Sequence, residues 1–136
     1  GPEQIYQKLR ENIDYGYERY TNYLGNTENL FSYMIGGRKF SLPMGDVYFV
    51  ETAETPHKVI VHAASQLVEF PGFLKDIADQ YTELYRTDKS FLANLDNVVG
   101  IDADERRLIF PNGDKTDVAT RRFHEVKTLV QKHLKA

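Results

Sequence analysis

Apolar positions along the chain keep two different rhythms. Over residues 3–24, Ile5, Leu9, Ile13, Tyr17, Tyr20 and Leu24 recur at intervals of three and four, the spacing of one stripe on an amphipathic helix. Gly16 interrupts that helix at a cost of about 1 kcal/mol relative to Ala, and Gly25-Asn26 is a stop signal. The stripe does not name its partner. A linker or oligomerisation helix and a helix packed on its own domain both satisfy it. Gly1-Pro2 reads as the remnant of a cleaved tag.

From residue 30 the period shortens to two. Leu30–Ile35, Lys39–Leu42, Val47–Glu51, Lys58–Ala63 and Leu67–Phe70 are rich in Val, Ile, Tyr and Phe, which favours strands. Gly36-Gly37 and Pro43-Met44-Gly45 separate the first three. Val98–Asp102, Arg107–Phe110 and Lys115–Val118 follow, joined by the turn chemistry of Ala103-Asp104-Glu105 and Asn112-Gly113. They predict an antiparallel meander. Two helices interrupt the strands. Gly72–Tyr81 places Phe73, Ile77 and Tyr81 on one stripe, and Arg122–Leu134 does the same for Phe123, Val126, Leu129, Val130 and Leu134. Strand and helix do not alternate regularly, so the expected class is mainly β, antiparallel and multi-stranded, with two short helices behind an N-terminal linker helix.

Composition narrows the chemistry. The 136 residues carry no Cys, which removes disulfides, thiolate nucleophiles and zinc–thiolate sites and suits a reducing, cytoplasmic setting. No apolar run reaches the roughly 18 residues of a membrane span. The net charge of −3 argues against nucleic acid as a partner. Its distribution argues otherwise: residues 1–85 hold seven Lys/Arg against twelve Asp/Glu, whereas residues 86–136 hold ten against eight.

Catalytic and metal patterns are weak. His57 and His62 are an odd number of positions apart, which on one strand would turn them to opposite faces. His124 and His133 fall on opposite sides of the last helix. Asp102, Asp104 and Glu105 read as a solvated hairpin tip without the Gly and distal Glu of a calcium loop. There is no phosphate-binding Gly loop, nucleophile elbow or His-Glu-x-x-His, and Ser65 and Ser90 have no local activating partner. The expectation is a protein without enzymatic activity, metal or cofactor.

Three loops combine turn residues with hydrogen-bonding side chains. They are Glu51–Lys58 with Pro56, His57 and Lys58; Tyr85–Phe91 with Arg86, Lys89 and Ser90; and Ala119–Arg122, where Thr120 suits an N-cap ahead of the last helix. A helix N-terminus beside Arg attracts phosphate, and Arg reads guanine with two parallel hydrogen bonds.

These stretches resemble the LytTR-type DNA-binding domain, an output module of bacterial response regulators. The resemblance is carried by Val47-Tyr48-Phe49-Val50-Glu51 with His57-Lys58, by Leu84–Leu95 with its core of Arg86, Ser90, Phe91 and Asn94, by Val98–Asp102, and by Leu108–Gly113 leading to Val118–Arg122. It is similar above all to regulators of peptide pheromone systems of the accessory-gene and competence or bacteriocin type. The resemblance implies a ten-strand fold whose loops enter successive major grooves of promoter direct repeats and touch the minor groove between them. It implies base reading at His57, Lys89 and Arg121, with Lys58 and Ser90 beside them and Arg86 and Arg122 on phosphates. It implies a homodimer on DNA and a histidine kinase acting on a receiver domain preceding this one. Residues 1–29 would then be tag remnant and receiver-end or linker helix, and residues 30–136 the DNA-binding domain. Asp88 departs from the family, where His is usual, and Thr120 replaces a usual Ser. The alternative reading is a protein- or ligand-interaction β domain that uses the Tyr-rich helix.

Overall fold

The computed structural model describes residues 29–135. The expected helix at 3–24, with Tyr17 and Tyr20, lies outside the described residues. The chain enters through a hairpin of β1 (Leu30–Ile35) and β2 (Arg38–Pro43). Its two-residue turn is Gly36-Gly37, with φ of 56° and 83°. Both values are left-handed, a conformation that twists a hairpin correctly and that glycine adopts without steric cost.

A five-stranded antiparallel sheet follows, built from β3 (Val47–Thr52), β4 (Lys58–Ala63), β5 (Leu67–Pro71), β6 (Leu84–Asp88) and β7 (Phe91–Asn94). Its spatial order is β5-β4-β3-β7-β6. The sheet separates two cores because successive side chains on a strand face opposite ways. On one face Val50, Val59, Val61, Phe70 and Leu92 pack against the entry hairpin and against α1 (Leu74–Gln80). On the other, Phe49 and Ala93 meet a three-stranded sheet of β8 (Gly100–Asp102), β9 (Arg107–Ile109) and β10 (Lys115–Asp117), together with α2 (Thr120–Lys135).

The expected class and meander are present. Four local readings change. The segment Tyr85–Phe91, read as a loop, is the tight hairpin joining β6 to β7. Short polar residues between apolar anchors look like a loop when the cross-strand partners are unknown. Helix α2 starts at Thr120, two residues before the expected Arg122. Thr120 therefore occupies the first helical turn instead of capping it. Phe73, assigned to the inward stripe of the first helix, precedes α1 and is 53% exposed. In α2, Val126 and Val130 are buried while Leu129 and Leu134 lie at the exposed border of the stripe.

Candidate nucleic-acid interface

The register of the five-stranded sheet gathers loops that are far apart in sequence. Thr52 pairs with Val59, Glu51 with Phe91, Asp88 with Phe91 and Lys58 with Pro71. The β3–β4 connection, the β6–β7 turn and the exit of β5 must then leave the same end of the sheet. Backbone hydrogen bonds fasten them. Thr52 N–H donates to the Ser90 carbonyl at 3.2 Å, Ala53 N–H to Lys58 at 3.0 Å, and Gly72 N–H to His57 at 3.0 Å. The third loop arrives from the other layer. Ala119 N–H donates to the Thr87 carbonyl at 2.8 Å, and the buried Thr87 hydroxyl donates to the Asp117 carbonyl at 3.0 Å. The Lys89 turn is thus bonded to the His57 loop on one side and its strand to the Arg121 loop on the other.

His57, Lys58, Lys89 and Arg121 are exposed, while Arg86, Ser90 and Arg122 are half-buried. His57 adopts a left-handed φ of 65°, and its ring meets Phe73 edge to face at 5.4 Å. Holding a residue with a Cβ there costs about 1–2 kcal/mol, a strain that orients the imidazole outward. Replacing His57 by Gly is expected to raise stability by about 0.5–1 kcal/mol, because relief of strain outweighs glycine's extra chain entropy. Urea unfolding checks this. A lower midpoint would mean that the Phe73 contact outweighs the strain.

Arg86 turns its guanidinium back on the turn, donating to the Asp88 carbonyl at 3.4 Å and to the Lys89 carbonyl at 2.9 Å. The Asp88 carboxylate accepts Ser90 N–H at 3.3 Å. Such a side-chain-to-backbone bond is a common way for Asp to close a turn. An acidic side chain next to Lys89 therefore has an internal role, and Arg86 is engaged with the same turn. Arg122 stands beside Tyr85 and Glu125. Burial pushes the Tyr85 hydroxyl up, the Glu125 hydrogen bond and charge add to this, and Arg122 opposes them. Tyr85 stays protonated through neutral pH.

The sequence reading missed Arg106. It has a left-handed φ of 55°, its side chain is exposed, and its carbonyl accepts Val118 N–H at 3.0 Å. That bond sets the β8–β9 turn against the Ala119–Arg122 loop. The local signal was a basic pair after Asp104-Glu105, legible only as a solvated tip. Two cations in the first turn of α2 oppose the helix dipole, which disfavours positive charge at that end. Arg106 brings a third arginine to that end of the second layer, beside the carboxylates of Asp104 and Glu105.

The opposite end of the large sheet differs in charge. A cleft of about 490 Å³ there is lined by Asp46, Glu83 and Asp96 with Asn94 and Asn97. Among the described residues no three His, Asp or Glu side chains converge as metal ligands would.

The family described as the LytTr DNA-binding domain matches residues 37–131. Accessory gene regulator protein A of Staphylococcus epidermidis is 29% identical over 91 residues, which is 67% of this chain and 38% of the relative. Its counterpart in Staphylococcus aureus is 26% identical over the same length and shares. The chain thus spans about 38% of the length of the curated relatives it matches. The solved LytTr DNA-binding domain of a putative methyl-accepting/DNA response regulator from Bacillus cereus superposes with a TM-score of 0.57 at 16% identity, covering 81% of this chain and 100% of that one. At that identity the likeness concerns the fold.

Proposed function

Because the chain belongs to the LytTr DNA-binding domain family, we propose that it reads promoter DNA in a sequence-specific way at direct repeats, one domain per repeat. The observation that carries this reading is the joining of three loops at one end of the fold, with His57, Lys89 and Arg121 projecting from them. The central Lys89 turn suits the groove between those entered by the His57 and Arg121 loops. Arg121 reads a base edge. Arg122 and Arg106 hold phosphates on either side, and Lys58 does so beside His57. Arg86 and Ser90 act through the turn that presents Lys89.

In this reading the domain is the output of a two-component transcriptional regulator in the cytoplasm. A histidine kinase phosphorylates a receiver domain, and two copies then occupy adjacent repeats. Linking the copies raises effective concentration, so a modest single-site affinity suffices. The likeness to accessory gene regulators supports a role in gene regulation, and the proposal extends this to peptide quorum sensing, of competence or bacteriocin type. A mobility-shift titration on direct-repeat promoter DNA against scrambled DNA tests the core of the proposal. Equal binding to both would refute it.

Two substitutions separate the assigned roles. Arg121→Ala is expected to cost about 1–3 kcal/mol on the preferred sequence and relax preference at one base position. Arg122→Ala is expected to weaken all sequences alike and reduce the salt slope by about one unit. Titrations at several salt concentrations distinguish the two. Identical behaviour on specific and random DNA would void the assignment.

A further inference from the structure

Behind the loops, His62 of β4 lies where the two sheets meet. Its side chain is 13% exposed, and its ring stacks on Phe49 at 4.1 Å with an interplanar angle of 17°. Nε2 is hydrogen-bonded to Glu51 Oε2, and Nδ1 stands 3.6 Å from Asp114 Oδ2. The two carboxylates come from different layers. Glu51 belongs to β3 and immediately precedes Thr52, which is bonded to the Lys89 turn. Asp114 immediately precedes β10, which runs into the Arg121 loop.

A neutral imidazole carries one N–H and so can donate to only one of these partners. The imidazolium donates from both nitrogens. The ring's charge therefore decides whether the second layer is fastened to the first at this end, opposite the fastening at Thr87 and Ala119. We infer that His62 is a proton-operated positioning residue for DNA reading: charged, it bridges Glu51 and Asp114 and holds the Arg121 loop in register with the His57 and Lys89 loops. The inference rests on the DNA-reading proposal above.

The other charged groups around His62 are few. On β5, Glu69 pairs with Ile60 and so lies diagonal to His62 on the same face. Lys58 shares that face four residues back along β4. Asp114 Oδ2 also accepts from Asn112 Nδ2 at 2.9 Å. Lys115, next to Asp114, is directed to Asp102 at 3.8 Å. From β7 the face contributes only Phe91 and Ala93.

Only the protonated ring donates from both nitrogens, so acid favours the bridge to the two carboxylates and alkali loosens it. The test is Kd for direct-repeat and scrambled DNA between pH 6 and 8 at constant ionic strength, with His57→Gln as the background so that the reading imidazole does not contribute. Affinity for the repeat is expected to fall about three- to tenfold across the range, while scrambled DNA shows a smaller change. His62→Gln, which keeps a neutral donor group but cannot take up a proton, should flatten the difference. Asp114→Asn should flatten it too, and at an exposed turn it serves if the His62 variant does not fold. Retention of the full pH slope in a folded His62→Gln or Asp114→Asn variant would overturn the inference alone. Equal binding to both DNAs at every pH would overturn the DNA-reading proposal and this inference with it.

Discussion

Replacing Phe110 by Ala is expected to cost about 3–5 kcal/mol of folding stability. The ring is 1% exposed. It stacks on Tyr48 at 5.7 Å and tilts against Phe49 at 5.2 Å, so it is one of the main contacts through which the three-stranded layer packs on the large sheet. Its removal would leave a cavity that close-packed neighbours fill only in part. Against a total stability of about 5–15 kcal/mol for a small domain, that loss is large. Urea unfolding followed by far-ultraviolet circular dichroism measures it. Leu67→Ala is the comparison, since Leu67 is 62% exposed and should change stability by no more than about 0.5 kcal/mol. A Phe110 effect as small as that of Leu67 would mean that another contact joins the layers.

The largest effect on recognition is expected from removing His57, Lys89 and Arg121 together, each replaced by Ala. The three side chains extend from separate loops, and among the described residues none shares a side-chain hydrogen bond with another. Their losses of about 1–3 kcal/mol each should therefore nearly add, to about 3–9 kcal/mol. That approaches the whole margin of about 4–10 kcal/mol by which specific binding exceeds non-specific binding. Competition between repeat and scrambled DNA at fixed salt reads the outcome, with circular dichroism confirming the fold. A variant that still preferred the repeat by more than about a hundredfold would show that bases are read elsewhere, with Arg106 the first place to look.

Net charge misleads for this chain because it sums the whole molecule, whereas contact with phosphate depends on a local surface. Three carboxylates line a cleft at the end of the sheet opposite the loops. Arg106, Arg121 and Arg122 gather at the loop end of the other layer. An overall charge of −3 is compatible with DNA binding on these terms.

The amino-acid sequence by itself determined the elements whose causes are local. Alternation in Lys58–Ala63 sends Val59 and Val61 to one face because strand geometry has a period of two. Gly36-Gly37 marks a hairpin because its turn needs left-handed backbone. Family motifs were legible in the same way, as residue types at fixed spacing. Tertiary structure alone decided what depends on partners distant in the chain. The hairpin at Lys89-Ser90 exists because β7 lies between β3 and β6. Arg86 faces inward because two turn carbonyls accept its guanidinium. Arg106 joins the Arg121 loop through the bond to Val118, and His62 meets Glu51 and Asp114 only where two sheets close on each other. Backbone geometry repeats within a few residues and leaves its period in the sequence. Convergence of loops depends on long-range hydrogen bonds and apolar packing, which leave no spacing to read.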